Sequence, residues 1–534
     1  MKRVFALILC AVILVCSFSS CSSDDPIVLF FAVEDSAGSF DPQIVSDVTA
    51  SIVVRNCFEG LLRKNAEGKA VNAVAKEMKV SSDGLTYTFY LREDAVWHLT
   101  SNAEKQLEGK IPEDFDLSVT AYDFQFALRR AVDPATSSHM AYMLHNIENA
   151  PDILAGTKDK SELGVRVIDK YTLEIKLSKP QSNFPEVLTE PVAMPCNETF
   201  FSACAGRYGT LIAFSLSNGP FYLSRFDDSS YRINKAADYR GDWEAVPDYV
   251  WLYKVNDEEA LISDLEDNEY SGAVISEDMY RNLKVSKKMN ITETPNVIRG
   301  FMMNISDEVL SEENMRKALA SATETATVAF NEGKDLTSSV VPLSAAAEGV
   351  SSHPESFSEE KAKIYLENGL KKLEKTSVDI VLICEKRYED TMRRLLQEWQ
   401  RILGINVNFS VKAGTLDEVK QAVESGNYQI AFYDYSAQTD SAYEFFGSFT
   451  SSSPYNITGF DGFGMEELIA KLYSGSEENF NSVYSSIESK ISSSSVIIPV
   501  WSENTYFVCT ENVRDVIYFS GSDKLYFHMA TNEK

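Results

Sequence analysis

A single carboxylate stands among aromatic side chains in the run IAFYDYS at residues 430–436. If this run is a strand, its period of two puts Phe432 and Asp434 on one face and Tyr433 and Tyr435 on the other. An unpaired charge on an apolar face is costly. We therefore expect Asp434 either to reach water at the end of the strand or to await a cation that the protein itself does not supply.

Residues that could carry out catalysis are scarce. The five histidines form no H-E-x-x-H pair, and His139 and His145 are six residues apart, which misses the i, i+4 spacing of zinc ligands on a helix. The chain contains no G-x-S-x-G elbow, Walker loop or G-x-G-x-x-G fingerprint. The sequence thus favours a binding function over an enzyme, and it predicts neither a metal site nor a cofactor.

The composition indicates a large acidic globular protein. The 534 residues include 50 Lys and Arg against 79 Asp and Glu, giving a formal net charge of −29, and 44% of the residues are hydrophobic. A chain of this length exceeds one ordinary core and should fold as two or three lobes. The absence of a basic stripe with interleaved aromatics argues against nucleic acid as a partner. We expect a monomer.

The N-terminus has the layout of a signal peptide, which we predict at residues 1–20. Two basic residues precede an apolar core at 4–15 that is too short for a membrane span. The small residues before Cys21 and the polar residues after it resemble the lipobox of bacterial lipoproteins, although Phe18 replaces the usual aliphatic residue. The resemblance implies that Cys21 is acylated and tethers the protein to the outer face of the bacterial cell membrane. Ordinary secretion, for instance into a periplasm, is the alternative.

Five cysteines follow the predicted tether, and their spacing does not suit zinc. Cys196 and Cys204 could close a small disulfide loop in an oxidising compartment. Buried or inert thiols are an equally good interpretation.

Local patterns predict a mixture of strands and helices. The segment 84–92 alternates cleanly, as a half-buried strand does. Thr120 and Asp123 stand at the spacing of a capping box ahead of an apolar helical stripe. Residues 379–411 read as a buried strand, a helix with Gly404 just beyond its last turn, and another strand. This β-α-β unit indicates a parallel strand pair and an α/β lobe.

In their order and spacing, these pieces resemble the extracytoplasmic solute-binding proteins of peptide ABC importers, particularly the oligopeptide-binding type. The resemblance covers nearly all of the mature chain, with an insertion-like stretch, HLTSNAEKQLEGKIPEDFDLS, after the first tryptophan. The segments that carry it are FDPQ, NCFEGLLRKNAEGKAVNAVAKEMKVSSDGLTYTFYLREDAVW, VTAYDFQFALRRAVDPATSS, NGPFYL, NMRKALASATE and IIPVW.

The resemblance implies an α/β fold, a two-lobed periplasmic-binding-protein-like clamp with an additional domain, which closes by a hinge around its ligand. The implied divisions are 1–20 for the signal peptide, 21–50 for the anchored N-terminus and the first part of lobe I, 51–189 for the additional domain, 190–295 for lobe I, 296–499 for lobe II and 500–534 for the return to lobe I.

The resemblance also implies a ligand site. Asp434 stands where relatives have the aspartate that pairs with the free α-ammonium of a peptide, and Phe432, Tyr433 and Tyr435 could line the first pockets. Val48 corresponds to a segment that borders the peptide backbone. The sequence departs from relatives in having no tryptophan three places before the aspartate and no Asp-Pro pair after it. An internal salt bridge or a cap for Asp434, and core packing for the aromatics, are the alternatives.

These implications define a function and its rivals. The protein would bind oligopeptides in an extended conformation and deliver them to permease subunits and their ATPases, without catalysis. Another solute on the same fold, such as a dipeptide, a metal chelate, haem or an oligosaccharide, is an alternative. A surface receptor for signalling peptides is another.

Overall fold

The protein is described by a computed structural model that covers residues 25–533 with several short gaps. The predicted signal peptide and Cys21 lie outside the described residues. The gaps are 34–36, 256, 286–288, 348–353, 437–441, 451–452, 454–455, 461–463, 475–476 and 520–523.

In the described part of the chain, ten strands form the main sheet, in the order β14-β13-β15-β12-β16-β11-β1-β10-β9-β8. We call the β11 to β8 side lobe I and the β14 to β15 side lobe II. The strands of the structure are β1 (Val28–Val33), β2 (Leu62–Lys64), β3 (Ala70–Asn72), β4 (Ala75–Val80), β5 (Thr86–Leu91), β6 (Val165–Asp169), β7 (Thr172–Lys176), β8 (Phe221–Phe226), β9 (Ser230–Lys235), β10 (Tyr249–Lys254), β11 (Gly272–Ser276), β12 (Asn290–Met303), β13 (Val378–Glu385), β14 (Val407–Gly414), β15 (Ile430–Ser436), β16 (Ile497–Cys509), β17 (Val513–Arg514), β18 (Ile517–Tyr518), β19 (Leu525–Tyr526) and β20 (Thr531–Asn532).

Two long antiparallel strands, β12 and β16, run from one lobe into the other. Residues 290–294 of β12 pair with β16 on the lobe I side, and residues 297–303 pair with it on the lobe II side. The register shifts between Thr294 and Val297. A shift of this kind bends a strand and interrupts its ladder. The predicted boundary between residues 295 and 296 falls within this irregular step.

The helices cover the sheet and link its strands. They are α1 (Val48–Cys57), α2 (Ser101–Gln106), α3 (Ala121–Ala131), α4 (Ala150–Leu154), α5 (Phe184–Val187), α6 (Glu198–Ala203), α7 (Glu258–Glu266), α8 (Glu277–Asn282), α9 (Glu313–Ala322), α10 (Thr325–Asn331), α11 (Glu359–Lys372), α12 (Glu389–Leu403), α13 (Leu416–Glu424), α14 (Ala442–Gly447), α15 (Met465–Ser474) and α16 (Glu477–Ser494).

Lobe II contains the predicted β-α-β unit. Strands β13 and β14 are parallel and joined by α12, whose apolar stripe is buried. Gly404 ends α12 with a φ of +76°, which a residue with a side chain rarely adopts. The prediction of a parallel pair from this segment is therefore confirmed.

A separate antiparallel sheet, in the order β4-β5-β7-β6, lies within the segment predicted to be the additional domain. Its strand β5 alternates as predicted, because Tyr87, Phe89 and Leu91 are buried and the residues between them are partly exposed. The helix α3 begins with the predicted capping box of Thr120 and Asp123. These local predictions are confirmed.

The hydrophobic core is divided among the lobes. One large cluster joins lobe I to the additional domain, and two clusters lie on opposite faces of the lobe II sheet. The five described cysteines, Cys57, Cys196, Cys204, Cys384 and Cys509, are buried free thiols. The structure thus resolves the open choice for Cys196 and Cys204 in favour of thiols. No helix in the described part of the chain has the length and apolarity needed to cross a membrane.

Candidate functional site

The strand β15 carries Asp434 to the edge where parallel strands of lobe II end. Gly426, with a φ of +69°, follows α13 and turns the chain toward this strand. Strand β15 runs parallel to β13, whose last residue is Glu385. In open α/β sheets, ligands commonly bind outside the carboxyl ends of such strands. Asp434 and Glu385 are thus acidic side chains at an edge suited to ligand binding.

The predicted alternation along β15 is confirmed by its packing. Ile430 and Phe432 belong to the hydrophobic cluster on one face of the sheet. Ala431 and Tyr435 belong to the cluster on the other face, and Tyr433 packs against that cluster. Asp434 therefore continues the face that Phe432 occupies.

Asp434 is paired within the protein. Its register partner on the neighbouring strand β12 is Arg299, whose Nη2 donates a hydrogen bond to Oδ2 of Asp434 at 2.5 Å. Arg299 is almost completely buried, with 2% of its side chain exposed. The expectation that the protein supplies no cation to Asp434 is wrong, because sheet pairing brings a cation from a distant segment. The alternative of an internal salt bridge is realised.

Arg299 also contacts two other carboxylates. Its Nη1 donates to Oε1 of Glu385 at 2.7 Å, and its Nε lies 3.9 Å from Oε2 of Glu503 on β16. Glu385 and Glu503 are largely buried. One guanidinium therefore stands among three carboxylates, so the immediate surroundings of Asp434 remain acidic.

Two further cations connect these acids to Asp278 in α8 of lobe I. Nε of Arg387 lies 2.9 Å from Oε2 of Glu385, and its Nη1 lies 2.9 Å from Oδ2 of Asp278. Nζ of Lys334 lies 2.7 Å from Oε1 of Glu503 and 3.0 Å from Oδ1 of Asp278. Charges of opposite sign thus alternate around a closed path.

We call this path the ion-pair ring. It contains three carboxylates and three cations, so its net charge is zero. Asp434 is a fourth carboxylate, which pairs with the ring member Arg299. Its members are Arg299, Glu385, Arg387, Asp278, Lys334 and Glu503. The negative charge of Asp434 is the one left over when the ring is counted as neutral.

The carboxyl group of Asp434 remains able to accept another donor. About a third of its side chain is exposed (34%), while Oδ1 is enclosed and has no hydrogen-bond partner among the described residues. The pKa of Asp434 is raised to about 6, chiefly by burial; Arg299 opposes the rise, and the nearby carboxylates Glu503 and Glu385 add to it. The carboxylate is thus incompletely satisfied by Arg299.

The same carboxylates also affect the pKa of Arg299. Burial alone would lower the pKa of Arg299, but Asp434, Glu503 and Glu385 outweigh it and hold the pKa above its usual range. Arg299 is therefore charged at any pH at which the protein is folded. Its charge cannot be removed to free Asp434, so a ligand cation must share the carboxylate with it.

Two of the predicted pocket residues are engaged in the core. Phe432 is fully buried, and its ring packs 5.0 Å from Phe301 and 5.3 Å from Trp501. Tyr435 is also buried; it packs against Phe445, and its hydroxyl lies 3.0 Å from Oγ of Ser448. Both side chains hold the strand in place beneath Asp434, as their alternative interpretation anticipated.

The remaining predicted residues lie at different places. Tyr433 is partly exposed beside Asp434, and burial raises the pKa of its hydroxyl. Val48 is the first residue of α1, where Asp47 caps the helix, and it packs partly buried against the lobe I core. Residues 437–441, which follow β15, lie outside the described residues.

Sequence reasoning singled out Asp434 but did not predict the ion-pair ring. One signal was present: Arg299 is a lone cation in the apolar run VIRGFMM, just as Asp434 is a lone acid in its own run. Two buried charges of opposite sign in apolar strands are expected to find each other. The other members of the ring lie in polar stretches of the sequence, including the SENT run of β16 that holds Glu503, and carry no such signal.

The chain and its fold resemble known proteins. A family model described as bacterial extracellular solute-binding proteins, family 5 Middle, matches residues 69–456. The chain is 25% identical over 505 residues to the dipeptide-binding protein DppE of Bacillus subtilis, which covers 92% of this chain and 89% of that protein. It is 26% identical over 516 residues to the periplasmic oligopeptide-binding protein OppA of Salmonella typhimurium, covering 91% and 88%.

The same likeness extends to a solved structure. The structure of Listeria monocytogenes OppA bound to peptide matches with a TM-score of 0.77 at 21% identity, covering 96% of this chain and 100% of that one. The match confirms the predicted α/β fold of the large peptide-binding class.

Proposed function

This chain belongs to family 5 of the bacterial extracellular solute-binding proteins, and on this basis we propose that it captures oligopeptides for an ABC importer. It is an extracytoplasmic solute-binding protein and not an enzyme. Its full-length relatives include proteins named for binding dipeptides and oligopeptides. The predicted family is therefore confirmed, whereas the ligand is our proposal.

The observation that carries the proposal is the surplus charge of Asp434. Every linear peptide with a free N-terminus has an α-ammonium, whatever its sequence, so one partly exposed carboxylate can hold all such peptides. The neutral ion-pair ring leaves that carboxylate as the site's excess charge. Recognition of this kind gives affinity without selecting side chains.

The remainder of the ligand would be held through its backbone. An extended peptide can add to a protein edge as a strand, and its main-chain hydrogen bonds do not depend on sequence. In this proposal the segments 190–295 and 296–499 close around the peptide, with Tyr433 beside its first residue. Val48 is proposed to border the peptide backbone from lobe I.

Delivery completes the proposed function. An acylated Cys21 would keep the protein at the outer face of the cell membrane, close to the permease subunits that receive the peptide. A closed, loaded protein would then bind the permease, and its ATPases would drive transport.

The proposal is tested by the thermal stability of the mature protein with peptides of two to eight residues. A ligand at a hundredfold excess over its Kd adds about 2.7 kcal/mol to the free energy of unfolding. We expect a pool with free N-termini to raise the melting temperature and the same pool N-acetylated to raise it much less. If neither pool stabilises the protein, its ligand is another solute.

The role of Asp434 needs its own variant. We expect Asp434→Asn to weaken free-amine peptides by about tenfold to a thousandfold, since loss of one partner of a partly desolvated charge pair costs roughly 1.4–4 kcal/mol. Arg299 keeps Glu385 as a partner, so the variant should fold. The matched control is Asp379→Asn, an exposed aspartate on the lobe II strand β13. An Asp434→Asn protein with unchanged affinity would show that this carboxylate is not the anchor.

A further inference from the structure

The ion-pair ring takes a single residue from lobe I, and we propose that this residue, Asp278, couples closure of the lobes to binding of the ligand's cation. The inference rests on the proposed function, because it concerns the same carboxylate, Asp434. It adds a positioning residue that acts on the ligand through electrostatics and from the opposite lobe.

Two cations join Asp278 to lobe II. Its Oδ1 lies 3.0 Å from Nζ of Lys334, and its Oδ2 lies 2.9 Å from Nη1 of Arg387. Lys334 is largely buried, with 6% of its side chain exposed. A buried ammonium that contacts two carboxylates interacts more strongly with them than an exposed pair does, because water screens it less.

The helix α8 holds Asp278 beside the crossing strands. Ser276 caps its N-terminus by accepting a hydrogen bond from the backbone N–H of Met279. The first residue of α8, Glu277, is held to β16, because its Oε2 accepts a hydrogen bond from the backbone N–H of Asn504 at 3.2 Å. The carboxylate of Asp278 is thus aimed across the line along which the lobes meet.

Closing the lobes changes the charge at the ligand site. Without Asp278, the group consists of the cations Arg299, Lys334 and Arg387, and an equal number of carboxylates, so it has no excess charge. Asp278 adds one negative charge when it joins. Lys334 and Arg387 then each pair with Asp278 as well as with Glu503 or Glu385. The group as a whole has a net charge of about −1, counted from its formal charges.

An anionic group attracts a cation more strongly, so a ligand with an ammonium binds better to the closed arrangement than to an open one. A ligand that prefers one of two conformations shifts the population toward it. The coupling is reciprocal, and the ammonium therefore strengthens closure as much as closure strengthens ammonium binding. A ligand without a positive charge gains none of this attraction to the anionic group.

The test compares Asp278→Asn with wild-type protein and with Asp267→Asn, which removes an exposed aspartate at the end of α7 in the same lobe. Each protein is titrated with a hexapeptide pool in free-amine and N-acetylated forms, followed by thermal shift. We expect the half-saturating concentration of the free pool to rise about tenfold in Asp278→Asn, within the usual range of coupling between sites. The acetylated pool should lose less affinity than the free pool in Asp278→Asn, so that the free-to-acetylated ratio falls only in that variant.

Small-angle scattering provides the conformational readout. Addition of the free pool should reduce the radius of gyration of wild-type protein, and Asp278→Asn should need about tenfold more peptide for the same change. If the radius and the free-to-acetylated ratio in Asp278→Asn equal those of wild type, Asp278 is only a structural contact and the inference is wrong.

A charge-balanced variant separates electrostatics from simple loss of a contact. The double variant Asp278→Asn/Lys334→Met removes one acid and one base, so the site regains its excess negative charge. We expect it to recover the preference for free amines that Asp278→Asn loses. A double variant as weak as Asp278→Asn would contradict the electrostatic coupling. If wild-type protein itself does not distinguish the two pools, the anchor role of Asp434 fails, and the coupling fails with it.

Discussion

At the scale of single residues, Asp434 is both paired and available. Arg299 neutralises much of its charge, yet Glu385 and Glu503 draw on the same guanidinium, and Oδ1 has no hydrogen-bond partner in the described part of the chain. A fully satisfied ion pair would resist sharing with a ligand. An unpaired buried carboxylate would be costly in the empty protein. Sharing one guanidinium among several acids is a compromise between these extremes.

The pH dependence of binding should reflect the pKa of Asp434. This pKa is about 6 in the empty protein, so protonation below pH 6 removes the negative charge that holds an ammonium. Above about pH 8, the α-amino group of the peptide loses its own proton. We expect affinity for free-amine peptides to be greatest between about pH 6 and pH 8 and to fall by about tenfold per pH unit well below that window.

Isothermal titration between pH 4.5 and 9 would measure this profile. Asp434→Asn should lack the fall on the acidic side, and N-acetylated peptides should bind with little pH dependence. The stability of the empty protein should depend on pH in the opposite direction to its affinity for peptides. Because the pKa of Asp434 is raised in the folded state, the folded state binds this proton better than the unfolded state does. The contribution of Asp434 to the free energy of unfolding therefore increases as pH falls from about 6 toward its ordinary value of 3.8.

At the scale of elements, the strand pair β12–β15 sets the position of the site. Arg299 and Asp434 face each other because the register of these strands brings them together. The next residue on β12, Gly300, lies where β12 and β16 shift register, and a Cβ there would be 2.3 Å from the carbonyl oxygen of Ile498. The close approach of two backbones requires a glycine at this position.

Replacing this glycine should move the strand that carries Arg299. We expect Gly300→Ala to lower the free energy of unfolding by about 1–3 kcal/mol, since the obstacle is backbone and cannot rotate away. Differential scanning calorimetry would measure the change. The control is Gly38→Ala, where the nearest atom to a new Cβ is 3.5 Å away, at ordinary contact distance. Equal melting temperatures for the two variants would mean that β12 and β16 can move apart to accept the new Cβ without a loss of stability.

Structural features that depend on residues close together in the sequence could be predicted from the sequence alone. The alternation of β5 and β15, the capping box of α3 and the β-α-β unit around α12 all arise from local periodicity and were predicted correctly. The pairing of Arg299 with Asp434 was not predicted, because it joins segments 135 residues apart and depends on strand order and register. The ion-pair ring is still less accessible, since it needs the positions of two lobes.

At the scale of the whole molecule, the lobes are joined by more than the crossing strands. The additional domain also approaches lobe II, where Oγ of Ser182 lies 3.5 Å from the hydroxyl of Tyr443 in α14. Asp278 provides the contact on the lobe I side. Any opening of the clamp must therefore break contacts at two separate places while β12 and β16 stay continuous.

The predicted tether at Cys21 would keep the protein at the membrane surface. We expect Cys21→Ser to move the protein from the membrane fraction to the soluble extracytoplasmic fraction. The serine cannot receive the lipid chains that would attach to the thiol of Cys21. Fractionation with immunoblotting would measure the distribution, and Cys57→Ser, a change at a buried thiol, is the control. Equal membrane association of wild type and Cys21→Ser would mean ordinary secretion. Peptide binding by the purified variant should be unchanged.

The path of the chain through the main sheet also governs how the protein can fold as it is exported. Lobe I is built from both ends of the chain, since β11 pairs with β1 on one side and with the late strand β16 on the other. Lobe II strands β13, β14 and β15 all precede β16, so they can assemble before the last part of the chain has crossed the membrane. Until β16 arrives, β11 and β12 keep open edges that could pair with other chains. We therefore expect the chain to be most prone to aggregation while β16 is still missing from the sheet.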